Sequence, residues 1–138
     1  MRVMCLDVGK VRVGIALSDP MKIIANPLEV YKRTNSAKMD ARYIASLIKE
    51  HQVDTLVVGL PLKLDGSNGT SVDMAKTLAE KIMGQTAGVK LYYEDERFST
   101  VTATNVLLEG NVRREKRKQV VDKLAATIIL QSFLDKNK

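Results

Sequence analysis

The order of apolar and polar positions already divides the chain into elements. Residues 2–8 (RVMCLDV) put Val3, Cys5 and Asp7 on one side and Met4, Leu6 and Val8 on the other, which predicts a strand buried on both faces. Gly9-Lys10 predicts a tight turn. Residues 11–18 (VRVGIALS) then alternate, with Val11, Val13, Ile15 and Leu17 against Arg12, Gly14, Ala16 and Ser18. So short a link predicts a hairpin and an antiparallel second strand. After Asp19-Pro20 a third strand is predicted from Ile23 to Tyr31, interrupted near Asn26-Pro27.

The period then changes to that of a helix. Residues 37–51 place Ala41, Ile44, Ala45 and Ile48 on one stripe, with Leu47 beside it. Residues 53–59 (VDTLVVG) read as a buried parallel strand. Thr70 and Asp73 resemble a capping box opening a helix with Val72, Ala75, Leu78, Ala79 and Ile82 inward. Residues 89–93 (VKLYY) predict the last strand. Ser99 is placed to cap a short helix over 100–109, and a final helix runs to about Leu134. The pattern β-β-β-α-β-α-β-α-α predicts an α/β fold with a mixed sheet, and one domain over 1–138.

Composition narrows the class. The chain carries 22 Lys and Arg against 16 Asp and Glu, a net charge of +6, which favours an anionic partner such as nucleic acid. There is no long apolar run, so no membrane span is expected, and a cytoplasmic location is the default. The single Cys5 permits no internal disulfide, and no Cys/His spacing suggests zinc. His51 stands alone at a helix end and reads as structural. GLPLKLDGSNGT lacks the spacing of a P-loop, although its backbone and Lys63 could hold a phosphate.

Against this basic background, acids fall at ends of elements. Asp7 closes the first strand, and Glu94-Asp95-Glu96 close the last. Asp122 lies in VVDKLAATIIL, where helical spacing sets it above Ala126, Ile129 and Phe133 on an otherwise apolar face. Each has a bland alternative: a turn-capping Asp7, a solvated acidic loop, a Lys118–Asp122 pair. In open α/β sheets, sites form at the carboxyl ends of parallel strands. If the first, fourth and fifth strands are neighbours, these carboxylates converge on an oxygen-ligand site for Mg²⁺ or Mn²⁺. The segment NVRREKRKQ just before Asp122 gathers Arg113, Arg114, Lys116, Arg117 and Lys118, a crowding of cations suited to a phosphodiester backbone.

Four segments together, LDVGKVRVGIALSDP, VVGLPLKLDGSNG, YEDERFST and KRKQVVDKLAATIILQSFL, resemble the YqgF family, also called RuvX, of bacterial RuvC-like nucleases. They occur in the family's order and cover nearly the whole chain; Phe98 stands where the family usually has Leu. The resemblance implies an RNase H-like fold with a five-stranded sheet in order 3-2-1-4-5. It also implies that the acidic motif falls on Asp7, Glu96 and Asp122, which selects Glu96 where periodicity left Glu94 and Glu96 open. Family members are described as Holliday junction resolvases or are linked to maturing the 5′ end of precursor 16S ribosomal RNA.

The expected chemistry is therefore metal-dependent phosphodiester hydrolysis. Asp7, Glu96 and Asp122 would hold the metal, and Lys63, Arg97 and Arg113 through Lys118 would position the strand. The rival readings are a resolvase acting on branched DNA, which would need a symmetric dimer, and a nucleic-acid-binding module without catalysis that works in ribosome assembly or transcription. A phosphotransferase of the actin and sugar-kinase type needs two such domains, and the chain has room for one.

Overall fold

A computed structural model describes residues 1–60, 70–95 and 114–136, with side chains at 1–60, 72–94 and 124–136. Five strands, β1 (Arg2–Val8), β2 (Arg12–Ser18), β3 (Ala25–Lys32), β4 (Val53–Leu60) and β5 (Lys90–Asp95), form one sheet in the order β3-β2-β1-β4-β5. β1 pairs antiparallel with β2, and β2 with β3; β4 runs parallel to both β1 and β5. The order matches the expectation, and it makes β1, β4 and β5 neighbours.

Helices cover both faces. On one, α1 (Ala37–Glu50) and α2 (Thr70–Met83) pack on Met4, Leu6, Val8, Val13 and Ile15. On the other, α3 (Arg114–Lys136) packs Ala126, Ile129, Leu130 and Phe133 against Val3, Cys5, Ala16 and Val57. The strict alternation of β1 separates these two cores, as its sequence pattern requires. Cys5 lies inside the second core and forms no disulfide.

α1 and α2 form as their patterns predict, with instructive exceptions. The inward stripe of α2 (Val72, Ala75, Leu78, Ala79 and Ile82) is entirely buried. In α1, Leu47 is buried while Ala45 is only half-buried, and the polar Asp40 is buried too. Ser36 caps α1 by accepting from the Met39 N–H. At its other end His51 is the cap, donating its N–H to the Leu47 carbonyl, and Gln52 turns the chain at φ 55°.

Other expectations shift by a residue or two. β2 starts at Arg12, so Val11 is exposed at the hairpin tip instead of facing the core. β3 starts at Ala25, because the Asp19 carboxylate accepts from the N–H groups of Met21, Ile23 and Ile24 and holds those residues in a turn. The interruption near Pro27 is a bulge: Ile15 pairs with Glu29 and Ala16 with Pro27, leaving an extra residue on β3. As an edge strand, β3 tolerates this proline. Finally, β5 extends through Glu94 and Asp95, because they continue its parallel pairing with Gly59 and Leu60.

Candidate active site

Asp7 sits at the carboxyl end of the central strand, on the face covered by α3. The sheet register places Gly14 of β2 opposite it on one side and Gly59 of β4 on the other. Gly59 in turn pairs with Glu94 of β5. One row across the sheet thus reads Gly14, Asp7, Gly59, Glu94. Neither neighbour of Asp7 carries a Cβ, so the carboxylate rises from a row without side chains beside it. Asp7 is half-buried, and both flanking glycines are buried. That Gly14 and Gly59 flank Asp7 depends on which strands are adjacent, which the sequence pattern does not fix.

Glu94 shares the row of Asp7, but it is committed elsewhere. Lys136 at the end of α3 donates to both Glu94 oxygens, at 2.9 and 2.7 Å. Beside this pair, the rings of Tyr92 and Phe133 meet at 5.3 Å, so the last turn of α3 is tied to β5. Glu94 thus joins the end of α3 to β5.

The turn after Asp7 is built tightly. The Gly9 N–H donates to the Arg12 carbonyl at 2.8 Å, and a Cβ at Gly9 would stand 2.9 Å from that same oxygen. The close neighbour that requires glycine here is the protein's own backbone. Arg33 braces the turn from the α1 side: its N–H donates to the Val11 carbonyl and its guanidinium to the Gly9 carbonyl at 3.2 Å. The same guanidinium meets Asp40 at 3.0 Å. Asp40 also accepts from the Tyr31 hydroxyl, the Thr34 N–H and the Thr34 hydroxyl, each at 2.9 Å. Burial on its own raises the Asp40 carboxyl, but these donations together outweigh it and hold the group below the ordinary carboxylate range. Helical period alone does not reveal this network, since Asp40 lies next to the apolar stripe of α1 and its partners are Tyr31 of β3 and the two residues just after that strand, Arg33 and Thr34.

Lys63, Glu96, Arg97, Arg113 and the helix expected over 100–109 lie outside the described residues. Arg114, Lys116, Arg117, Lys118 and Asp122 lie on α3, with side chains outside the described set. Among the described residues, no three acids, histidines or cysteines come together as a metal-binding group. A cavity of about 500 Å³ opens at the far end of the sheet, between Met1, Ile48, Val53 and Val89. It lies at the amino ends of the strands, away from Asp7, and we assign it no part in the chemistry.

A mixed sheet in this order, with an acid at the carboxyl end of its central strand, defines the RNase H-like class. Among solved structures, Thermus thermophilus RuvC in complex with a Holliday junction substrate shares the fold: TM-score 0.59 and 16% identity, over 99% of this chain and 96% of that one. The chain belongs to the RuvX family, whose model, described as "Holliday junction resolvase", matches residues 1–136. A relative from Halalkalibacterium halodurans, named "Putative pre-16S rRNA nuclease", is 41% identical over 100% of this chain and 99% of its own length. Another of that name, from Streptococcus thermophilus, is 44% identical over 99% of both chains.

Proposed function

We propose that the chain is a metal-dependent endonuclease that hydrolyses phosphodiester bonds, acting in 5′-end maturation of precursor 16S ribosomal RNA. The observation that carries this reading is the position of Asp7: at the end of the central strand of an RNase H-like sheet, between two glycines, in a family whose relatives bear a nuclease name. Asp7, Glu96 and Asp122 form the catalytic set of a single nuclease domain spanning 1–138.

The donor set suits a hard divalent cation. It offers carboxylate oxygens only, and the one thiol, Cys5, is buried in the core. These residues would hold Mg²⁺ or Mn²⁺, which when bound acidifies a water and stabilises the charge on the leaving oxygen. The protein's own contribution is placement. β1 fixes Asp7, helical spacing sets Asp122 on the apolar stripe of α3, and the glycines keep the row open to the strand. Lys63, Arg97, Arg113, Arg114, Lys116, Arg117 and Lys118 would grip the nucleic-acid backbone. No helix among the described residues is long and apolar enough to cross a membrane. The proposed place of action is the cytoplasm, on ribosomal precursor particles.

The RuvX description and the likeness to RuvC favour a second reading, resolution of four-way DNA junctions, which requires a homodimer to make paired cuts. Both are tested by one assay of wild type and Asp7→Asn, with Mg²⁺ or Mn²⁺, on a precursor 16S fragment, a four-way junction and plain single strands. RNA cleavage that Asp7→Asn and EDTA abolish is the expected result. Symmetric junction cuts without RNA cleavage would replace the first reading by the second. Cleavage by neither protein would leave a nucleic-acid-binding module.

A further inference from the structure

The row of the sheet beyond Asp7 is cationic. Arg12 on β2 pairs in register with Lys32 on β3. Arg12 lies two residues from Gly14, which faces Asp7. Alternation therefore sets Arg12 and Lys32 on the face that carries Asp7, about 7 Å further toward the hairpin tip. Lys10 stands in that tip. Lys10 and Lys32 are exposed and Arg12 is half-buried.

Two features separate this cluster from ordinary surface lysines. Like charges directly opposite each other on antiparallel strands repel, and Lys32 stands directly opposite Arg12. Arg12 is engaged within the protein, but among the described residues neither Lys10 nor Lys32 has an ion-pair partner. The tip is also held in place: Gly9 bonds Arg12 across the turn, and Arg33 binds the carbonyls of Gly9 and Val11. Cations on a braced turn are preorganised for an anion, and phosphate contacts of this kind set the register of a nucleic acid without reading its sequence.

We propose that Lys10 and Lys32, backed by Arg12, form a phosphate-binding ledge that carries the RNA strand past Asp7 along the β2–β3 side of the site. This rests on the nuclease reading above and adds substrate contacts to those expected at Lys63, Arg97 and Arg113 through Lys118.

The test is equilibrium binding of the precursor 16S fragment in EDTA, so that cleavage plays no part, across a salt series. Lys10→Gln and Lys32→Gln are compared with wild type and with Lys49→Gln, an exposed lysine at the far end of α1. Each ledge lysine that meets a phosphate should flatten the log–log salt slope by about 0.7 to 0.9, while Lys49→Gln leaves it unchanged. Equal changes in all three variants would reduce the effect to net charge and overturn the ledge, as would slopes identical to wild type. A four-way DNA junction is run in parallel, and flattening confined to the junction would overturn the assignment to RNA. Wild type that binds neither nucleic acid would sink the nuclease reading together with the ledge, an outcome distinct from failure of the ledge alone.

Discussion

A buried carboxylate that receives four hydrogen bonds is a concentrated source of stability. Asp40 is fully buried, and the Arg33 side chain that faces it is 9% exposed. Removing one partner strands the other, at a cost of about 3 kcal/mol for Asp40→Ala in urea denaturation. The folded carboxyl is held below its usual value of 3.8, so its contribution is complete above that value and is lost as the pH falls through the folded value. Acid unfolding of Asp40→Asn should therefore be less steep below about pH 4 than that of wild type. Tyr31 behaves oppositely. Burial first, then the hydrogen bond to Asp40, pushes its hydroxyl up to about 12 from 10.0, so this contribution holds below pH 10 and is lost as the pH rises toward 12. Glu94 is a different case, because its Lys136 partner is 59% exposed and such pairs are worth at most about 1 kcal/mol. Glu94→Gln should keep nuclease activity near wild type with a small loss of stability, whereas Glu96→Gln should abolish cleavage; equal loss in both would place the working carboxylate in the row of Asp7.

At the scale of elements, α3 is joined to the sheet by more than its apolar stripe. Gln131 accepts from the Ala25 N–H at 2.9 Å and donates to the Ile23 carbonyl at 3.0 Å, standing in for a neighbouring strand where β3 begins. Gln131→Ala should cost about 1 kcal/mol, and faster amide exchange at Ala25 should localise the loss. A stability change without local exchange at Ala25 would assign Gln131 a different role. Legibility varies between elements for physical reasons. The stripe of α2 could be read in full because all its inward residues are apolar. In α1 the bounds were legible but the burial of Asp40 was not, because it is satisfied by Tyr31 of β3 and by Arg33 and Thr34 just after it, which helical period does not reveal. The length of β5 was set by a neighbour, since Glu94 and Asp95 are poor strand formers that pairing with β4 recruits.

For the whole molecule, the metal site proposed at Asp7 implies linkage between metal and stability. A ligand that binds only the folded state stabilises it by mass action, by about 2.7 kcal/mol at a hundredfold excess over Kd. Saturating Mn²⁺ should therefore raise the wild-type Tm by several degrees and leave Asp7→Asn almost unmoved. Equal Mn²⁺ shifts in the two proteins would exclude Asp7 as a ligand.

The sequence by itself determined the alternation that splits β1 between two cores, the hairpin from β1 into β2, the inward stripe of α2, and the position of Asp7 at a strand end. Each of these depends only on near neighbours in the chain, whose spacing fixes which way a side chain faces. Tertiary structure decided which strands lie side by side. It thereby set Gly14 and Gly59 beside Asp7, tied Glu94 to Lys136, brought Arg33 and Asp40 to the turn after Asp7, and aligned Arg12 with Lys32. These are contacts between segments far apart along the chain. Local periodicity carries no information about them, because register across strands is settled only when the sheet assembles around its two cores.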